Sequence, residues 1–420
     1  MDCLVIKGGA PLKGEVRISG AKNAALPLMA ATLLTREECV LRNLPNLSDV
    51  RFMARILESL GARVKINRGT VRVQAKQIEG YGNYDLIRKM RGSICILGPL
   101  MGRLNRATVS MPGGCVIGAR PVDLHLKGMR DLGANIRIQA GYIRARASQL
   151  KGAETFLGGR CGPTVLGTAN VMMAATLARG TTIIHSAACE PEIGDLAEFL
   201  ISMGAKIKGA GSPTIVIQGV KRLRGAVHRV IPDRIEAATY ALAGAVTGGD
   251  VTLRQCNPGH ISAVLDKMRE AGVRFETDAN SLRVRRVKSL RSVDITTMPH
   301  AGFPTDVQAQ MMVLMLKSPG ISIITERIFE SRFMHVNELA RMGADISIEG
   351  PSAIVKGGHE LSGADVMASD LRASAALVLA GLAAKGTTRV NRVYHIDRGY
   401  EDIDGKLLAL GANISREPGQ

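Results

Sequence analysis

A ten-residue stretch, LESLGARVKI at residues 57–66, decides the fold because five relatives of it follow along the chain. Each relative combines the end of an apolar helix, a Gly-Ala pair or a close equivalent, and a short strand. They are MRDLGANIRI (129–138), LISMGAKIKG (200–209), MREAGVRFET (268–277), ARMGADISIE (340–349) and LALGANISRE (408–417). Six occurrences at nearly one period indicate a repeat architecture.

The glycines of these stretches predict where each helix ends. Their successive spacings are 72, 71, 68, 71 and 68 residues, starting from Gly61. A glycine directly after a helix with apolar residues every three or four positions is expected in the left-handed conformation. Turns such as Gly180-Thr181-Thr182 indicate further strands, so each repeat of about 70 residues mixes helices and strands and exceeds a solenoid repeat.

Three repeats occupy each half of the chain, which predicts two similar domains that meet near residue 230. The segment Pro232-Asp233-Arg234 lies at this halfway point. A chain of 420 residues is also too long for one ordinary core. Clefts between domains are favoured ligand sites, so we expect the functional site there.

Composition indicates a globular protein, with 46% hydrophobic and 22% charged residues. No apolar run approaches the roughly 18 residues that a membrane span needs. The start, MDCLVIKGGAPLKGEV, has no long apolar segment, so we expect no signal peptide and no membrane partner. The seven cysteines show neither CxxC pairs nor zinc-finger spacing, which predicts reduced thiols in the cytoplasm and no structural metal.

The chain is basic, with 55 Lys and Arg against 37 Asp and Glu and a net charge of +18. Such an excess suits nucleic acid, a membrane surface or anionic small substrates. Aromatic residues make up only 3%, and the positive charge is dispersed, so we predict no nucleic-acid partner. No Walker loop, GxGxxG or HExxH motif occurs, and we expect no cofactor.

The glycine-rich segment PGGCVIGARP at 112–121 departs from the repeat. A lone cysteine is more often a small buried hydrophobe than a catalyst. Here glycines flank Cys115, and Arg120 lies five residues away, where its charge would lower the pKa of the thiol. Both interpretations of Cys115 stay open at this point. The other six cysteines are interpreted as small buried hydrophobes.

Several charged residues precede predicted helices, and each has two interpretations. Lys22 is either an anion ligand at a helix N-terminus or an exposed residue in a turn. Asp306, ahead of an apolar helix at 309–316, is either a routine helix-start residue or a general base. Asp370 with Arg372, and Asp397 with Arg398, are most simply ion pairs.

Two further polar residues stand near these segments. Arg91, in the run Arg88-Lys89-Met90-Arg91, could begin a helix in solvent. His125 follows the glycine-rich segment, and we expect it to make a polar contact rather than act as a base.

Six segments together carry a family resemblance. They are GAKNAALP (20–27), PGGCVIGARPVDLH (112–125), FPTDVQAQ (303–310), RFMHVNELARMGA (332–344), DLRASAALVLAG (370–381) and YHIDRGYE (394–401). The chain resembles the bacterial UDP-N-acetylglucosamine 1-carboxyvinyltransferases, enolpyruvyl transferases that open peptidoglycan precursor synthesis. The resemblance implies an α/β fold of two inside-out barrels with three repeats each, over 22–229 and over 1–21 plus 230–420. It also implies an active site in the cleft between them.

The resemblance further implies the reaction and its residues. The 3-hydroxyl of UDP-N-acetylglucosamine would join C2 of phosphoenolpyruvate, followed by loss of phosphate. Cys115 would protonate C3, Asp306 would accept the hydroxyl proton, and Asp370 would assist proton transfer. The implied phosphoenolpyruvate ligands are Lys22, Asn23, Arg120, Arg332, Arg372 and Arg398. The implied UDP-N-acetylglucosamine contacts are Arg91, Arg120, Pro121, Val122, Asp123, Leu124, His125, Thr164, Val165, Asp306 and Ile328.

One segment departs from the family pattern. The chain has Arg160-Cys161-Gly162-Pro163-Thr164 where the family commonly has a Lys two residues before Ser-Val-Gly. Arg160 could replace that Lys at the diphosphate.

Three other functions compete with this interpretation. The sister enzyme that uses shikimate 3-phosphate shares the fold but lacks the cysteine segment. A repeat protein of the RNA-end cyclase type would need more aromatic residues and clustered charge. A non-catalytic paralogue would not be expected to keep Cys115, Asp306, Lys22 and Arg398 together. We expect a cytoplasmic monomer whose Cys115 reacts with fosfomycin.

Overall fold

The computed structural model describes residues 2–112, 122–285 and 289–418. These residues form two compact units. The N-terminal unit contains residues 20–112 and 122–231, and the C-terminal unit contains residues 2–19, 232–285 and 289–418. The chain leaves the N-terminal unit between Ile231 and Pro232, beside the junction expected near residue 230.

Thirteen α-helices occur in the described ranges. They are α1 (Lys22–Ala31), α2 (Ser48–Ser59), α3 (Tyr84–Ile87), α4 (Leu97–Leu104), α5 (Asp123–Asp131), α6 (Val165–Ala175), α7 (Pro191–Ser202), α8 (Arg234–Val246), α9 (Ser262–Glu270), α10 (Gln308–Lys317), α11 (His335–Arg341), α12 (Leu371–Ala383) and α13 (Ile403–Ala409). Short 3-10 helices lie at Thr32–Leu34, Arg91–Ile96, Pro258–Ile261, Thr305–Val307 and Val393–Arg398.

The strands of the same ranges number twenty-five. They are β1 (Asp2–Lys7), β2 (Lys13–Arg17), β3 (Glu38–Arg42), β4 (Arg63–Asn67), β5 (Thr70–Gln74), β6 (Arg106–Ser110), β7 (Asn135–Gln139), β8 (Tyr142–Arg146), β9 (Glu154–Phe156), β10 (Gly158–Gly159), β11 (Gly162–Pro163), β12 (Thr181–His185), β13 (Lys206–Lys208), β14 (Thr214–Gln218), β15 (Val227–Arg229), β16 (Asp250–Arg254), β17 (Phe275–Asp278), β18 (Ser281–Val284), β19 (Ile295–Thr296), β20 (Gly320–Thr325), β21 (Asp345–Glu349), β22 (Ser352–Gly357), β23 (Asp365–Met367), β24 (Thr387–Asn391) and β25 (Asn413–Pro418).

One sheet plan recurs six times in the described chain, three times in each unit. A first strand pairs in parallel with a second, which pairs antiparallel with a third, which pairs antiparallel with an edge strand. The N-terminal unit has the orders β15-β3-β5-β4, β6-β8-β7 and β9-β12-β14-β13. The C-terminal unit has β2-β16-β18-β17, β19-β20-β22-β21 and β23-β24-β1-β25. In the sheet β6-β8-β7 a single bridge from Tyr81 to Thr108 stands where the parallel strand would lie.

Two kinds of helix alternate along the chain. In α10, QAQMMVLMLK, nine residues from Gln308 to Leu316 are buried, and α1, α6, α8 and α12 are similarly buried all round. In α2 the buried residues recur at helical spacing, as in Val50, Met53 and Ile56. A helix that is apolar all round belongs inside a core, and one with a single apolar face belongs at its surface. Helices therefore form the centre of each unit: α8, α10 and α12 contact one another, and α6 contacts α1 and α4.

The six repeat glycines end their helices as predicted. Gly61, Gly133, Gly204, Gly272, Gly343 and Gly411 all have φ between +88° and +104°. In the first repeat the Gly61 N–H donates to the Glu58 carbonyl at 2.9 Å, and the Ala62 N–H donates to the Leu57 carbonyl at 3.0 Å. The same two bonds follow the other five helices. This is the Schellman arrangement, so the prediction from the repeat is confirmed.

The first strands of the chain belong to the C-terminal unit. Strand β1 lies between β24 and β25, with Val5 opposite Arg389 and Ile6 opposite Ile414. Strand β2 pairs in parallel with β16, with Val16 opposite Leu253. Residues 2–19 thus complete two sheets whose other strands come from residues 250–418.

Cysteine placement corrects one expectation. The six cysteines among the described residues are free thiols, and Cys3, Cys39, Cys95 and Cys256 are buried. Burial raises the pKa of Cys95 to about 12, which makes it an inert thiol. Cys161 is exposed in the turn between β10 and β11, so its interpretation as a small buried hydrophobe is wrong.

The described residues contain neither a helix that could span a membrane nor a metal-binding cluster. No described helix is long and apolar enough to cross a bilayer. No group of three or more His, Cys, Asp or Glu in the described chain could hold a metal ion.

Candidate active-site residues

The C-terminal unit places Asp306 between two arginines. Asp306 lies in the 3-10 turn that leads into α10. Its Oδ1 accepts a hydrogen bond from Arg332 Nη1 at 2.8 Å, and its Oδ2 accepts one from Arg372 Nη2 at 3.2 Å. Both arginine side chains are buried, whereas the Asp306 side chain keeps 26% of its surface exposed. Two fixed cations therefore hold a carboxylate that solvent, or a substrate, can still reach.

Arg372 has hydrogen-bond donors that its contact with Asp306 does not use. Its Nε and Nη1 are buried and make no hydrogen bond among the described residues. Its guanidinium carbon lies 5.3 Å from the centre of the Tyr400 ring, a cation–π contact. Buried N–H groups without partners are costly, and a bound anion would satisfy them.

Asp370 does not pair with Arg372, so that expectation is wrong. The Asp370 carboxylate instead caps α12, accepting from the backbone N–H groups of Arg372 at 2.8 Å and Ala373 at 3.1 Å. An Asp at this position satisfies otherwise orphaned donors at the helix start. The Asp397 carboxylate binds Arg416, with Nη2 to Oδ1 at 2.9 Å and Nη1 to Oδ2 at 3.0 Å.

A buried glutamate, Glu326, ties the Asp306 segment to Ile328. Its Oε2 accepts from the Thr305 hydroxyl at 2.8 Å, and Thr305 Oγ1 in turn accepts from Arg332 Nη1 at 2.9 Å. Its Oε1 accepts from the backbone N–H of Ile328 at 2.9 Å and from the Thr297 hydroxyl. Hydrogen bonds therefore run in one direction from Arg332 through Thr305 to Glu326. Neither Glu326 nor Thr305 was predicted from the sequence, although an acid directly after an apolar strand was a usable signal.

Two histidines, His335 and His395, lie close enough to charged candidate residues of this unit for those charges to act on them. Burial, with the charge of Arg332 adding to it and that of Asp370 opposing it, lowers the pKa of His335 to about 4. Burial and the charge of Arg398 lower the pKa of His395. Arg398, at the end of a 3-10 helix, is thus placed electrostatically near His395, and Asp370 near both histidines.

In the N-terminal unit Lys22 begins α1 and is buried. Its Nζ lies 3.4 Å from Oδ2 of Asp49, and the two side chains are 11% and 4% exposed. The alternative of an exposed lysine in a turn is wrong. Asp49 stands in the first turn of α2 and was missed, since nothing in its local sequence marks it. Asn23 follows Lys22 in α1 and is half-buried.

His125 is buried on α5, and its protonation state follows from its neighbour. Asn170 Oδ1 accepts from the Gly98 N–H at 2.7 Å, which fixes the orientation of the amide. Asn170 Nδ2 donates to the Ile94 carbonyl at 3.0 Å and lies 2.9 Å from His125 Nδ1. Nδ1 is therefore an acceptor, and Nε2 carries the proton. Burial, helped by the charge of Arg91, lowers the pKa of His125 to about 4, so the ring is neutral.

The remaining nucleotide candidates lie at helix starts. Val122 is buried and precedes α5, Asp123 is exposed, and Leu124 is half-buried. Thr164 caps α6, its hydroxyl accepting from the Gly167 N–H at 3.2 Å, and Val165 is the first residue of that helix. Arg160 is exposed in the β10–β11 hairpin. Cys115, Arg120 and Pro121 lie outside the described residues.

Comparison with known proteins gives a consistent result. The model of the EPSP synthase (3-phosphoshikimate 1-carboxyvinyltransferase) family matches residues 6–407. A protein from Methylacidiphilum infernorum (isolate V4) is 54% identical over 416 residues, which cover 99% of each chain. One from Akkermansia muciniphila is 53% identical and covers all of this chain and 99% of its own. Both are named UDP-N-acetylglucosamine 1-carboxyvinyltransferase. The chain belongs to this carboxyvinyltransferase family.

Solved structures agree with the carboxyvinyltransferase assignment. The enolpyruvyl transferase NikO from Streptomyces tendae matches with a TM-score of 0.90 and 26% identity, covering 100% of this chain and 99% of its own. EPSP synthase from Acinetobacter baumannii matches with a TM-score of 0.75 and 17% identity over both full chains, which bears on the fold alone. The predicted inside-out α/β fold with six repeats is confirmed.

Proposed function

We propose that this carboxyvinyltransferase moves the enolpyruvyl group of phosphoenolpyruvate to the 3-hydroxyl of UDP-N-acetylglucosamine and releases phosphate, the first committed step of peptidoglycan precursor synthesis. The observation that carries the proposal is near-full-length identity of 53–54% to relatives named for this reaction. The geometry supports it, because Asp306 can receive a proton and the arginines beside it can bind an anionic substrate.

In the addition step, the hydroxyl oxygen bonds to C2 of phosphoenolpyruvate, Asp306 takes the hydroxyl proton, and Cys115 delivers a proton to C3. In the elimination step, C3 returns a proton to the Cys115 thiolate, the double bond reforms, and the bond between C2 and the phosphate oxygen breaks, so that phosphate leaves. Positioned cations stabilise charge that develops in both steps. We assign the phosphate to Lys22, Arg120 and Arg398, with Asn23 beside them, and the carboxylate to Arg372 and Arg332.

Asp306 starts from a state that is unfavourable for a base. Two guanidinium groups compete with any proton for its carboxylate oxygens. An incoming phosphoenolpyruvate would take over Arg372 and Arg332 through its own carboxylate and leave Asp306 free to accept a proton. We infer from this exchange that Asp306 accepts the hydroxyl proton only after phosphoenolpyruvate has bound the two arginines.

The Cys115 thiol has the opposite requirement from Asp306, because it must hold a proton before the reaction rather than accept one. Cys115 can donate a proton only while it is protonated, whereas the charge of Arg120 would favour the thiolate. Phosphate bound at Arg120 would offset that charge. We propose that phosphoenolpyruvate binding therefore prepares both proton-transfer residues. Asp370 would assist through its position near His335 and His395.

The nucleotide is assigned to the N-terminal unit and one residue of the C-terminal unit. Arg91, His125 and the start of α6 at Thr164 and Val165 would bind the nucleotide with residues 120–124, and Ile328 would contact the sugar. His125 Nε2–H is a preset donor for a nucleotide oxygen, because Asn170 occupies Nδ1. Arg160, exposed beside α6, would reach the diphosphate. We further propose that the protein is a cytoplasmic monomer without nucleic-acid or membrane partners.

A phosphate-release assay tests the function directly. Phosphoenolpyruvate is supplied with either UDP-N-acetylglucosamine or shikimate 3-phosphate. With phosphoenolpyruvate present, we expect phosphate release when UDP-N-acetylglucosamine is the second substrate and none when shikimate 3-phosphate is. Phosphate release only with shikimate 3-phosphate would overturn the proposal. Fosfomycin followed by peptide mass spectrometry tests the thiol: the adduct should lie on Cys115 and be absent from Cys115→Ser, and an adduct on exposed Cys161 would contradict the assignment.

A further inference from the structure

The sheet β6-β8-β7 of the N-terminal unit differs from the other five in charge. Its outward side carries four exposed arginines, Arg106, Arg137, Arg144 and Arg146, which we call the arginine face. Arg106 lies directly opposite Arg146, and Arg137 directly opposite Arg144. Like charges placed opposite each other across strands are destabilising. The fold itself gains nothing from this arrangement.

None of the three strands of this sheet contains Asp or Glu. Each of the five four-stranded sheets in the described chain has at least one acid on its strands, and most use it in an ion pair. Arg72 binds Glu38 at 2.9 Å, Arg283 binds Asp250 at 2.7 Å, and Arg254 binds Glu15 at 2.5 Å. By contrast, no carboxylate of the described residues lies within ion-pair distance of the four arginines. The arginine face therefore differs from the four-stranded sheets in having no acidic partners for its arginines.

Tyrosines concentrate at one end of the arginine face. Tyr142, on the same strand as Arg144, stacks on Tyr81 with ring centres 5.9 Å apart, and Tyr84 lies 6.5 Å from Tyr142. Tyr81 and Tyr84 are each about half exposed, in a chain with only 3% aromatic residues. Beside them a shallow cavity of about 390 Å³ is lined by Glu79, Arg106 and Arg146, among others. Tyr and Arg are the residues enriched at binding hot spots.

We propose that the arginine face and its tyrosines dock an acidic segment of a partner protein. Charge complementarity carries the argument, because four unpaired guanidinium groups would each gain a carboxylate. Residues on one side of an extended peptide repeat every two positions, which matches the spacing of Arg144 and Arg146 along their strand.

Two observations favour a polypeptide over other polyanions. Single-stranded nucleic acid uses a series of open ring faces. Here Tyr81 and Tyr142 stack on each other with their hydroxyls 3.1 Å apart, and Arg88 lies 5.3 Å from the Tyr84 ring centre. Binding in a lipid interface needs apolar anchors. On these three strands, as far as the structure describes them, Ile138 is the one large apolar side chain that is exposed.

Fluorescence anisotropy with a labelled octaglutamate peptide tests the surface on the full chain. The test variant is Arg144→Gln/Arg146→Gln. The matched control is Arg63→Gln/Lys65→Gln, which removes the same charge from exposed positions of β4, in another sheet of the same unit. We expect the test variant to bind about tenfold more weakly and the control less than about twofold, with affinity falling as salt rises. Equal loss in both variants, or no binding by the unmodified protein, would overturn the proposal.

Two further binding measurements distinguish a protein partner from a nucleic acid and from a membrane. An octauridylate RNA and vesicles with 30% phosphatidylserine are measured with the same variants. Tighter binding of either one, with the same dependence on Arg144 and Arg146, would replace the protein partner by a nucleic acid or a membrane. The thermal unfolding midpoint should rise in the test variant, because the opposed charges are relieved, and phosphate release should not change. A lower midpoint together with lost binding would contradict the proposal.

Discussion

The two units share one scaffold, but Asp306 in one and His125 in the other are held in different ways. In the C-terminal unit Asp306 is held by the charges of Arg332 and Arg372. In the N-terminal unit His125 is held by a neutral amide, and its Nε2 proton is preset. A residue held by charge changes its behaviour when a charged ligand arrives, whereas a residue held by neutral hydrogen bonds does not. This difference suits proton transfer at Asp306 and recognition at His125.

Replacing Asp306, the residue held by charge, should have the largest effect on activity. In Asp306→Asn the base is lost, and kcat should fall by about 10³-fold. The same change removes the competitor for Arg372 and Arg332, so phosphoenolpyruvate should bind more tightly, as measured by calorimetry with the nucleotide sugar present. Asp345→Asn, which removes an exposed carboxylate 3.4 Å from Lys356, is the control and should change neither value. Unchanged phosphoenolpyruvate affinity in Asp306→Asn would refute the exchange of arginine partners.

The direction of the hydrogen bonds at Glu326 predicts a smaller loss of activity when this residue is replaced. In Glu326→Gln the amide nitrogen faces Thr305, because the oxygen is needed by the backbone N–H groups at 328 and 329. Thr305 then loses its acceptor, and Arg332 and Ile328 shift. We expect kcat/KM for the nucleotide sugar to fall by roughly 10- to 100-fold, since small misplacements cost this much. Thr305→Ser should retain activity and Thr305→Val should resemble Glu326→Gln. Equal activity of the serine and valine variants would exclude this positioning role.

The neutral histidine of the N-terminal unit predicts acid sensitivity. The unfolded chain binds a proton at His125 near its ordinary pKa of 6.5, but the folded chain does so only near 4. Stability is therefore lost as pH falls from about 6.5 toward 4, on the order of 2 kcal/mol by pH 4.5. His125→Gln should show a pH dependence of unfolding that is shallower by this amount in urea titrations. The exposed His359→Gln is the control, and identical slopes for all three proteins would disprove the assignment.

The smallest expected effect tests whether the scaffolds are equivalent. Gly133 and Gly411 each end the surface helix of a repeat, one in each unit, with φ of +94° and +88°, and a Cβ at either would meet nothing within 4 Å. Alanine should therefore cost only the strain of the left-handed conformation, about 1 kcal/mol in each unit. Gly61→Ala should cost more, because its Cβ would lie 2.8 Å from the Gln77 carbonyl oxygen. A large difference between Gly133→Ala and Gly411→Ala would show that the repeats are not interchangeable.

Local rules predicted the repeated elements well, and they failed where distant residues meet. The glycine helix ends follow from a few neighbouring residues, so all six were predictable. The partner of Arg372 was not, because the nearby Asp370 is used by backbone N–H groups and the more distant Asp306 takes the guanidinium. Asp49 and Glu326 were missed for the same reason. Their importance comes from contacts with Lys22 and Thr305, which lie 27 and 21 residues away.

The placement of β1 between β24 and β25 has a consequence for synthesis on the ribosome. The sheets of the N-terminal unit pair only strands from residues 20–112 and 122–231, so they can form as soon as those residues have emerged. Residues 2–7 must wait until the strands near residues 390 and 414 are made, because those are their partners. Contacts at such separation slow folding and lengthen the time during which an edge is open. The first segment of the chain to be synthesised is thus among the last to pair in its sheet.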